Sequence, residues 1–244
     1  MELLVVVGGD GSVNEVVNGI AGRDVEVAVI ARGTGWDFAR SLGLPHGLDA
    51  AIEVALRGRT RTIDLGRVTY RAWDGAEAQS WFANIASVGM SGAIAQRAND
   101  TTKAFGGKAS YVWATLAVFA RWSTSEVAVA VDGVERRAHM HDVVIANGPY
   151  FGGGMKICPG AEPDDGTFDV LLIGDLTKRD LLFTLPKTFR GRHLPHPKAE
   201  LLRGTQVTVT SSEPLPLELD GEQPGTTPVR FELVPHAVRV RVPV

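Results

Sequence analysis

The chain opens on an apolar run, Leu3–Val7, that leads straight into Gly8-Gly9-Asp10-Gly11. A run this short, continuous and rich in valine predicts a buried strand. Ser12 and Glu15 then have the Ser-x-x-Glu spacing of a capping box, so a helix is expected from Ser12 to a stop at Gly19. Val25–Ile30 predicts a second buried strand, and Leu48–Leu56 a further helix ahead of Arg61–Val68. Strands alternating with helices in this way predict a parallel sheet in a doubly wound α/β layout.

After Asp64 the apolar period becomes two. Val127–Arg137 alternates about Asp132-Gly133, a hairpin signal. The same alternation recurs in Thr205–Ser212, Leu215–Gly225 and Val229–Val244. Helical stretches are expected at Met90–Arg97, Ala109–Trp122 and Lys178–Phe189. The change of period predicts a boundary near residue 62. A small α/β domain over 1–61 precedes a larger β-rich, sandwich-like domain with a few helices over 62–244.

Composition narrows the classes. Hydrophobic content of 44% and charged content of 22% are ordinary for a globular protein. A net charge of -3 argues against a nucleic-acid binder that works through a basic surface. Cys158 is the single cysteine, so no intrachain disulfide or Cys-based metal site is expected, which fits a reducing cytoplasm. The run Met1–Val7 does not read as a signal peptide. The apolar stretch Tyr111–Ala120 is far shorter than the ~20 residues that span a bilayer.

Glycines at the end of a parallel strand let a polyanion approach the backbone, with the next helix pointing its N-terminus at it. Gly8, Gly9 and Gly11 fit such a cradle. Asp10 would repel phosphate unless it holds Mg²⁺ or fixes a neighbouring turn; a plain strand-to-helix turn is the other reading. The second loop, Arg32–Arg40, has Gly33 and Gly35 around Thr34, and Asp37 begins a helix, where it could act simply as an N-cap. Both loops would meet at the strand ends where open α/β folds bind ligands.

In this order, the segments GGDGSVNEVVNGI, GTGWDFARSLGLP and IDLGRV resemble the diacylglycerol kinase-type lipid kinases, a family that includes sphingosine kinases. FANIASVGMSGAIA, ANGPYFGGGMKICPGAEPDDGTFDVLLI and LELDGEQ are similar to its bacterial members, so the likeness runs from Val5 almost to Val244. The resemblance implies an ATP- and Mg²⁺-dependent kinase acting on a diacylglycerol-like lipid, with ATP between two domains. It implies that Gly8, Gly9, Asp10, Gly11, Ser12, Val13 and Asn14 bind nucleotide phosphates, that Thr34 contacts the nucleotide from its Gly33-Gly35 loop, and that Asp10, Asp37 and Asp64 form an acidic network around catalytic Mg²⁺. A structural Mg²⁺ is implied at Asp165, with the backbone carbonyls of Glu162 and Thr167. Without the family, Asp164-Asp165-Gly166 reads as an ordinary turn.

Glu222 is the implied catalytic base, because a neutral alcohol needs a carboxylate to accept its proton. Val131–Glu135 is a second Asp-Gly hairpin, so position in the chain rather than the triplet singles Glu222 out. Tyr111, Trp113, Phe119 and Trp122 read either as core or as the wall of an acyl groove. Lys178–Arg203 carries seven cations against Asp180 and Glu200, either a solvated surface or a face for anionic headgroups of a peripheral membrane contact. Cytoplasm, with such a contact at the inner membrane face, is the expected location.

Two departures stand out. Members ordinarily carry roughly sixty residues ahead of the first strand. Without them it would expose an apolar edge, so either the start lies upstream, or another chain such as a homodimer partner covers the edge, or the nucleotide site is incomplete. Trp36 replaces the usual Asn and could stack on adenine, protrude, or block the cleft. An NAD kinase, sharing Gly-Gly-Asp-Gly, and a degenerate nucleotide- or lipid-binding module are the rival readings.

Overall fold

The computed structural model describes residues 2–33, 35–105 and 115–244. Strand β1 (Glu2–Gly8), helix α1 (Asp10–Ile20) and strand β2 (Val25–Ala31) form a parallel βαβ unit, with Leu4 opposite Val27. Helices α2 (Asp37–Ser41) and α3 (Leu48–Arg57) follow, and then strand β3 (Arg59–Ala72). An α/β nucleotide-binding domain is thus followed by a β-rich one. Among the described residues twelve strands join in one sheet, with β1 at its edge and Val5 and Val7 exposed.

The last strand, β14 (Glu222–Val242), ties the two parts together. Its far end lies parallel to β2, with Val240 opposite Val27, and it runs antiparallel along most of β3. Val238, Val240 and Val242 therefore complete the core that Val6, Val17, Val29 and Phe38 begin. The other core is built on Phe82, Phe168 and Phe231, packed with inward residues of the alternating strands such as Val129, Val143 and Val207. Period-two sequence puts every second side chain on this inner face.

Several expected boundaries move. Helix α1 starts at Asp10, with Gly9 at its N-cap and no side-chain cap bond, so the Ser12–Glu15 capping box is not formed. Val13 N–H already donates to Gly9 O at 3.1 Å, which puts Ser12 inside the first turn. Gly19 does not stop the helix, which continues through Ile20. Helix α4 (Met90–Phe105) outruns its expected end, and helix α5 covers Lys178–Thr188. Tyr111 and Trp113 lie outside the described residues. Residues 115–119 are helical, and Phe119 is buried against Met90, Ile94 and Leu181. No helix among the described residues is long and apolar enough to cross a membrane.

One glycine is dictated by packing alone. Gly66 in β3 pairs with Phe82 in strand β4 (Glu77–Phe82), and a Cβ at Gly66 would run into the Phe82 ring. That ring cannot retreat, since it stacks on Phe168 at 5.6 Å and meets Phe231 edge-on at 6.2 Å. Gly66→Ala is expected to cost about 1–3 kcal/mol by overpacking, read as a lower urea midpoint at unchanged slope. An unchanged midpoint would show that the aromatic trio is free to shift.

Candidate active site

A cleft of about 390 Å³ opens at the carboxyl ends of β1 and β2, lined by the start of α1, the Arg32–Phe38 loop, Asn84, the Phe151–Gly153 turn and Glu218–Glu222. Gly9, Gly11, Gly33, Gly35, Gly152 and Gly153 bring backbone to its lining. The first turn of α1 carries no side-chain cap, so its amides are open to an anion, and Gly9 leaves room for close approach. The two glycine loops touch, and a Cβ on Gly33 would lie 2.9 Å from Gly9 Cα.

Asp10 has a defined structural task. Its Oδ1 accepts the Phe38 N–H at 3.0 Å and its Oδ2 the Asp37 N–H at 3.3 Å. The carboxylate thus caps α2 from a different loop and locks the two glycine turns together. Asp37 is not the N-cap of α2; that position is Trp36, in the left-handed region at φ 62°. Asp37 instead accepts the Gly153 N–H at 2.7 Å and pairs with Arg40 at 2.6 Å. Burial pushes its pKa up to about 6; the Gly153 hydrogen bond opposes this and the Asp10 charge adds to it.

The Trp36 ring turns away from the cleft. It stacks on His46 at 3.9 Å, and its N–H donates to Gly33 O at 2.7 Å. A bulky residue at positive φ is costly, and these two contacts help to hold it there.

On the opposite wall, Asp220 and Gly221 form the turn between β13 (Pro216–Leu219) and β14, with φ of 48° and 98°. The Asp220 carboxylate accepts the N–H groups of Ala83, Asn84 and Ile85 at 2.8–3.0 Å and Asn14 Nδ2 at 3.1 Å. Helix α1 is thereby fastened to the turn that presents Glu222. A Cβ on Gly11 would lie 3.4 Å from Glu222 Oε1, so this exposed carboxylate faces the glycine loop. Glu218 braces the turn from below, accepting the Gly221 N–H and the Ser87 O–H, each at 2.7 Å. Burial pushes its pKa up to about 8 against those two hydrogen bonds.

The structure therefore brings Gly9, Asp10, Gly11, Val13, Gly33, Gly35, Asp37 and Glu222 to one cleft. Gly8, Ser12 and Asn14 belong to the same turn without lining the cleft, Asn14 being bonded to Asp220. Thr34 lies outside the described residues. Asp64 is elsewhere: its carboxylate accepts the N–H groups of Gly166 and His236 and does not line the cleft. Asp165, the one side chain in the set implied for a structural Mg²⁺, has protein partners. Asp165 accepts the Thr167 N–H and pairs with Arg203, while the Glu162 and Asp164 carboxylates pair with Arg61. The Arg203 guanidinium sits on the Asp165 carboxylate, and the Glu162 carbonyl accepts the Asp165 N–H at 3.4 Å.

Sequence reading passed over Asp220, Glu218, Asn84 and Gly153. The first two lie in the very LELDGE segment that singled out Glu222; acids at alternate positions of an otherwise apolar strand were the available signal. Asn84 and Gly153 gave none, because their value lies in contacts across the cleft. Asn84 accepts the Ser41 O–H at 2.9 Å and donates to Tyr150 O at 2.7 Å.

Fold and cleft place the chain in the class of α/β proteins that carry a β-rich second part. Residues 1–68 match the family model described as a diacylglycerol kinase catalytic domain, and 84–242 that of a YegS C-terminal NAD kinase beta sandwich-like domain. A Mycobacterium tuberculosis protein named diacylglycerol kinase is 31% identical over 99% of this chain and 77% of its own length. A Staphylococcus carnosus protein of the same name is 29% identical at the same coverage. A solved diacylglycerol kinase from Bacillus anthracis superposes with a TM-score of 0.74 at 21% identity, over 99% of this chain and 76% of that one. Yeast NADH kinase shares the fold more distantly, at TM-score 0.55 and 14% identity over 100% of this chain and 62% of that one. The chain belongs to the diacylglycerol kinase-type lipid kinase family.

The Glu218 environment has a measurable signature. Folded Glu218 keeps a proton up to about pH 8, whereas the unfolded side chain loses it near 4.5. Its contribution to stability is therefore full below pH 4.5 and is lost as pH rises through 8, at up to about 1.4 kcal/mol per unit. Unfolding free energies from pH 5 to 8.5 should fall for the native chain and fall less steeply, by a few kcal/mol in total, for Glu218→Gln. Parallel curves would refute the buried, protonated carboxyl.

Proposed function

We propose that this protein transfers the γ-phosphate of ATP, with Mg²⁺, to the hydroxyl of diacylglycerol or a closely related lipid. The observation that carries this reading is the Glu222 carboxylate facing the uncapped start of α1 across the cleft. A proton acceptor within reach of a phosphate cradle is what phosphoryl transfer to an alcohol requires. The names of the relatives supply the lipid class.

In this reading the amides from Gly9 to Ser12 hold the phosphates, and Arg32 flanks them. Glu222 takes the proton of the acceptor hydroxyl as its oxygen bonds to the γ-phosphorus. The bond to the β,γ-bridging oxygen breaks and ADP leaves. Asp10 and Asp37 keep the two glycine loops in register for that step. Their Oδ2 atoms both border Gly35, each accepting a backbone N–H and keeping a second lone pair for a cation beside the phosphate site. Among the described residues no group of three or more His, Cys, Asp or Glu is placed to hold a metal alone. One or two carboxylates completed by phosphate oxygens and water is, however, the usual donor set for Mg²⁺, and the pair fits it. When bound, Mg²⁺ supplies charge neutralisation at the transferred phosphoryl group.

An apolar cavity adjoins the cleft, with Phe151 bordering both. Its wall is made by Met90, Ile94, Leu171, Ile173, Leu181 and Leu185, a seat for acyl chains that would direct the hydroxyl to Glu222. Asp142 is buried in the same wall, where burial pushes its pKa up to about 7 against two hydrogen bonds from Ser91.

Glu222→Gln tests the assignment. Glu222 is exposed, so unfolding stability should stay within about 0.5 kcal/mol of the native chain. Transfer of label from [γ-³²P]ATP to diacylglycerol should fall about 10²-fold or more. Full activity of the variant would remove Glu222 from the mechanism, and label entering NAD rather than lipid would overturn the lipid reading.

A further inference from the structure

Helix α5 has two faces of opposite logic. Its inner face, with Leu181 and Leu185, packs toward the apolar cavity, as an amphipathic helix should. Its outer face should then be polar, yet Leu182 and Phe183 are 63% and 68% exposed, and Phe189 just beyond the helix is 42% exposed. These apolar side chains are bracketed along the axis by exposed Lys178 and Arg179 at one end and by Lys187 and Arg190 at the other. The acid of this helix, Asp180, is engaged in the capping box with Thr177 and does not neutralise them.

We infer that this outer face of α5 is a docking surface for an anionic phospholipid bilayer, with Leu182 and Phe183 entering the interface and the four cations meeting headgroup phosphates. Charge sets the choice of occupant. The chain as a whole carries a net charge of -3, so four clustered cations around exposed Leu and Phe run against its overall sign. An exposed apolar stripe on α3, Leu48, Ile52 and Leu56, is interleaved with Asp49 and Glu53, and the exposed Leu3, Leu4, Val5 and Val7 of edge strand β1 are preceded by Glu2, so both lack this complementarity. An apolar centre with basic flanks on one helical face is the composition that lies in a membrane interface, binding through buried apolar area plus attraction to anionic lipid. The same helix walls the cavity assigned above to acyl chains, so docking here brings that cavity to its source. This last point rests on the lipid kinase reading; the docking face itself does not.

The test is co-sedimentation of the full chain with vesicles in the absence of nucleotide. Phosphatidylcholine alone is compared with phosphatidylcholine containing phosphatidylglycerol, at low and high salt. The native chain should bind the anionic vesicles and release them as salt screens the contact. L182D/F183D and K187E/R190E should each weaken binding roughly tenfold or more, with unchanged unfolding midpoints. Neither pair touches the cleft, so activity on a dispersed short-chain diacylglycerol should stay within about twofold of the native chain, while activity on vesicle-borne acceptor falls with binding. Failure of the native chain to bind anionic vesicles, or native-like binding by both variants, would overturn the inference. So would a native dimer that L182D/F183D converts to monomer with vesicle binding intact, which would make the face an interface between copies. Salt-sensitive vesicle binding lost in the variants, with no phosphorylation of any lipid by the native chain, would uphold the docking face and refute the kinase reading instead.

Discussion

The Asp220 carboxylate is the contact on which the cleft depends. Its four donors come from the β4–β5 connection (β5, Ile85–Gly89) and from helix α1, while its own backbone forms the turn that presents Glu222. Three segments far apart in sequence are thereby fixed to one side chain. Buried carboxylates are costly, and burial does raise the pKa of Asp220 despite its donors. A fully satisfied acceptor set offsets that cost, and a partly satisfied one would not.

The rest of the site follows the same design. Asp10 closes the opposite wall by holding the start of α2, and Asp37 reaches across to Gly153. Each acid is committed to backbone N–H groups, so the cleft is shaped by carboxylates that act as staples. Glu222 differs, standing exposed at the end of the braced turn, free for a proton-accepting role in the proposed reaction. Burial raises the pKa values of Asp37, Glu218 and Asp220, with the Asp10 charge adding to it at Asp37 and the Asp220 and Asp142 charges at Glu218. Stability is given up to place acids where a phosphoryl group and its counter-ion would meet.

Much of this was legible in the sequence. The βαβ start, the alternating strands and the Asp132-Gly133 hairpin follow from periodicity, and the glycine loops and Glu222 from motif and family likeness. What was not legible depends on contacts across the chain. Ser12 has the capping spacing, but the strand ends early enough for the helix to begin two residues before it, leaving the anion site open. Asp37 looks like a cap, yet Asp10 does that work from 27 residues away. Trp36 holds a left-handed backbone because His46 and Gly33 happen to receive its ring. Asp64 and Asp165 entered metal sets through family likeness alone. Their oxygens were spoken for by Gly166, His236 and Arg203, which no local pattern reveals.

The claim that one clamp couples the glycine loop to the Glu222 turn is open to a double-mutant cycle. Asn14→Ala and Asp220→Asn, alone and together, would be compared in kcat/KM for phosphoryl transfer to diacylglycerol. If the two side chains act through their mutual bond, the double variant should be little worse than the poorer single one, leaving a coupling of about 0.5–3 kcal/mol. Strictly additive losses would contradict the account.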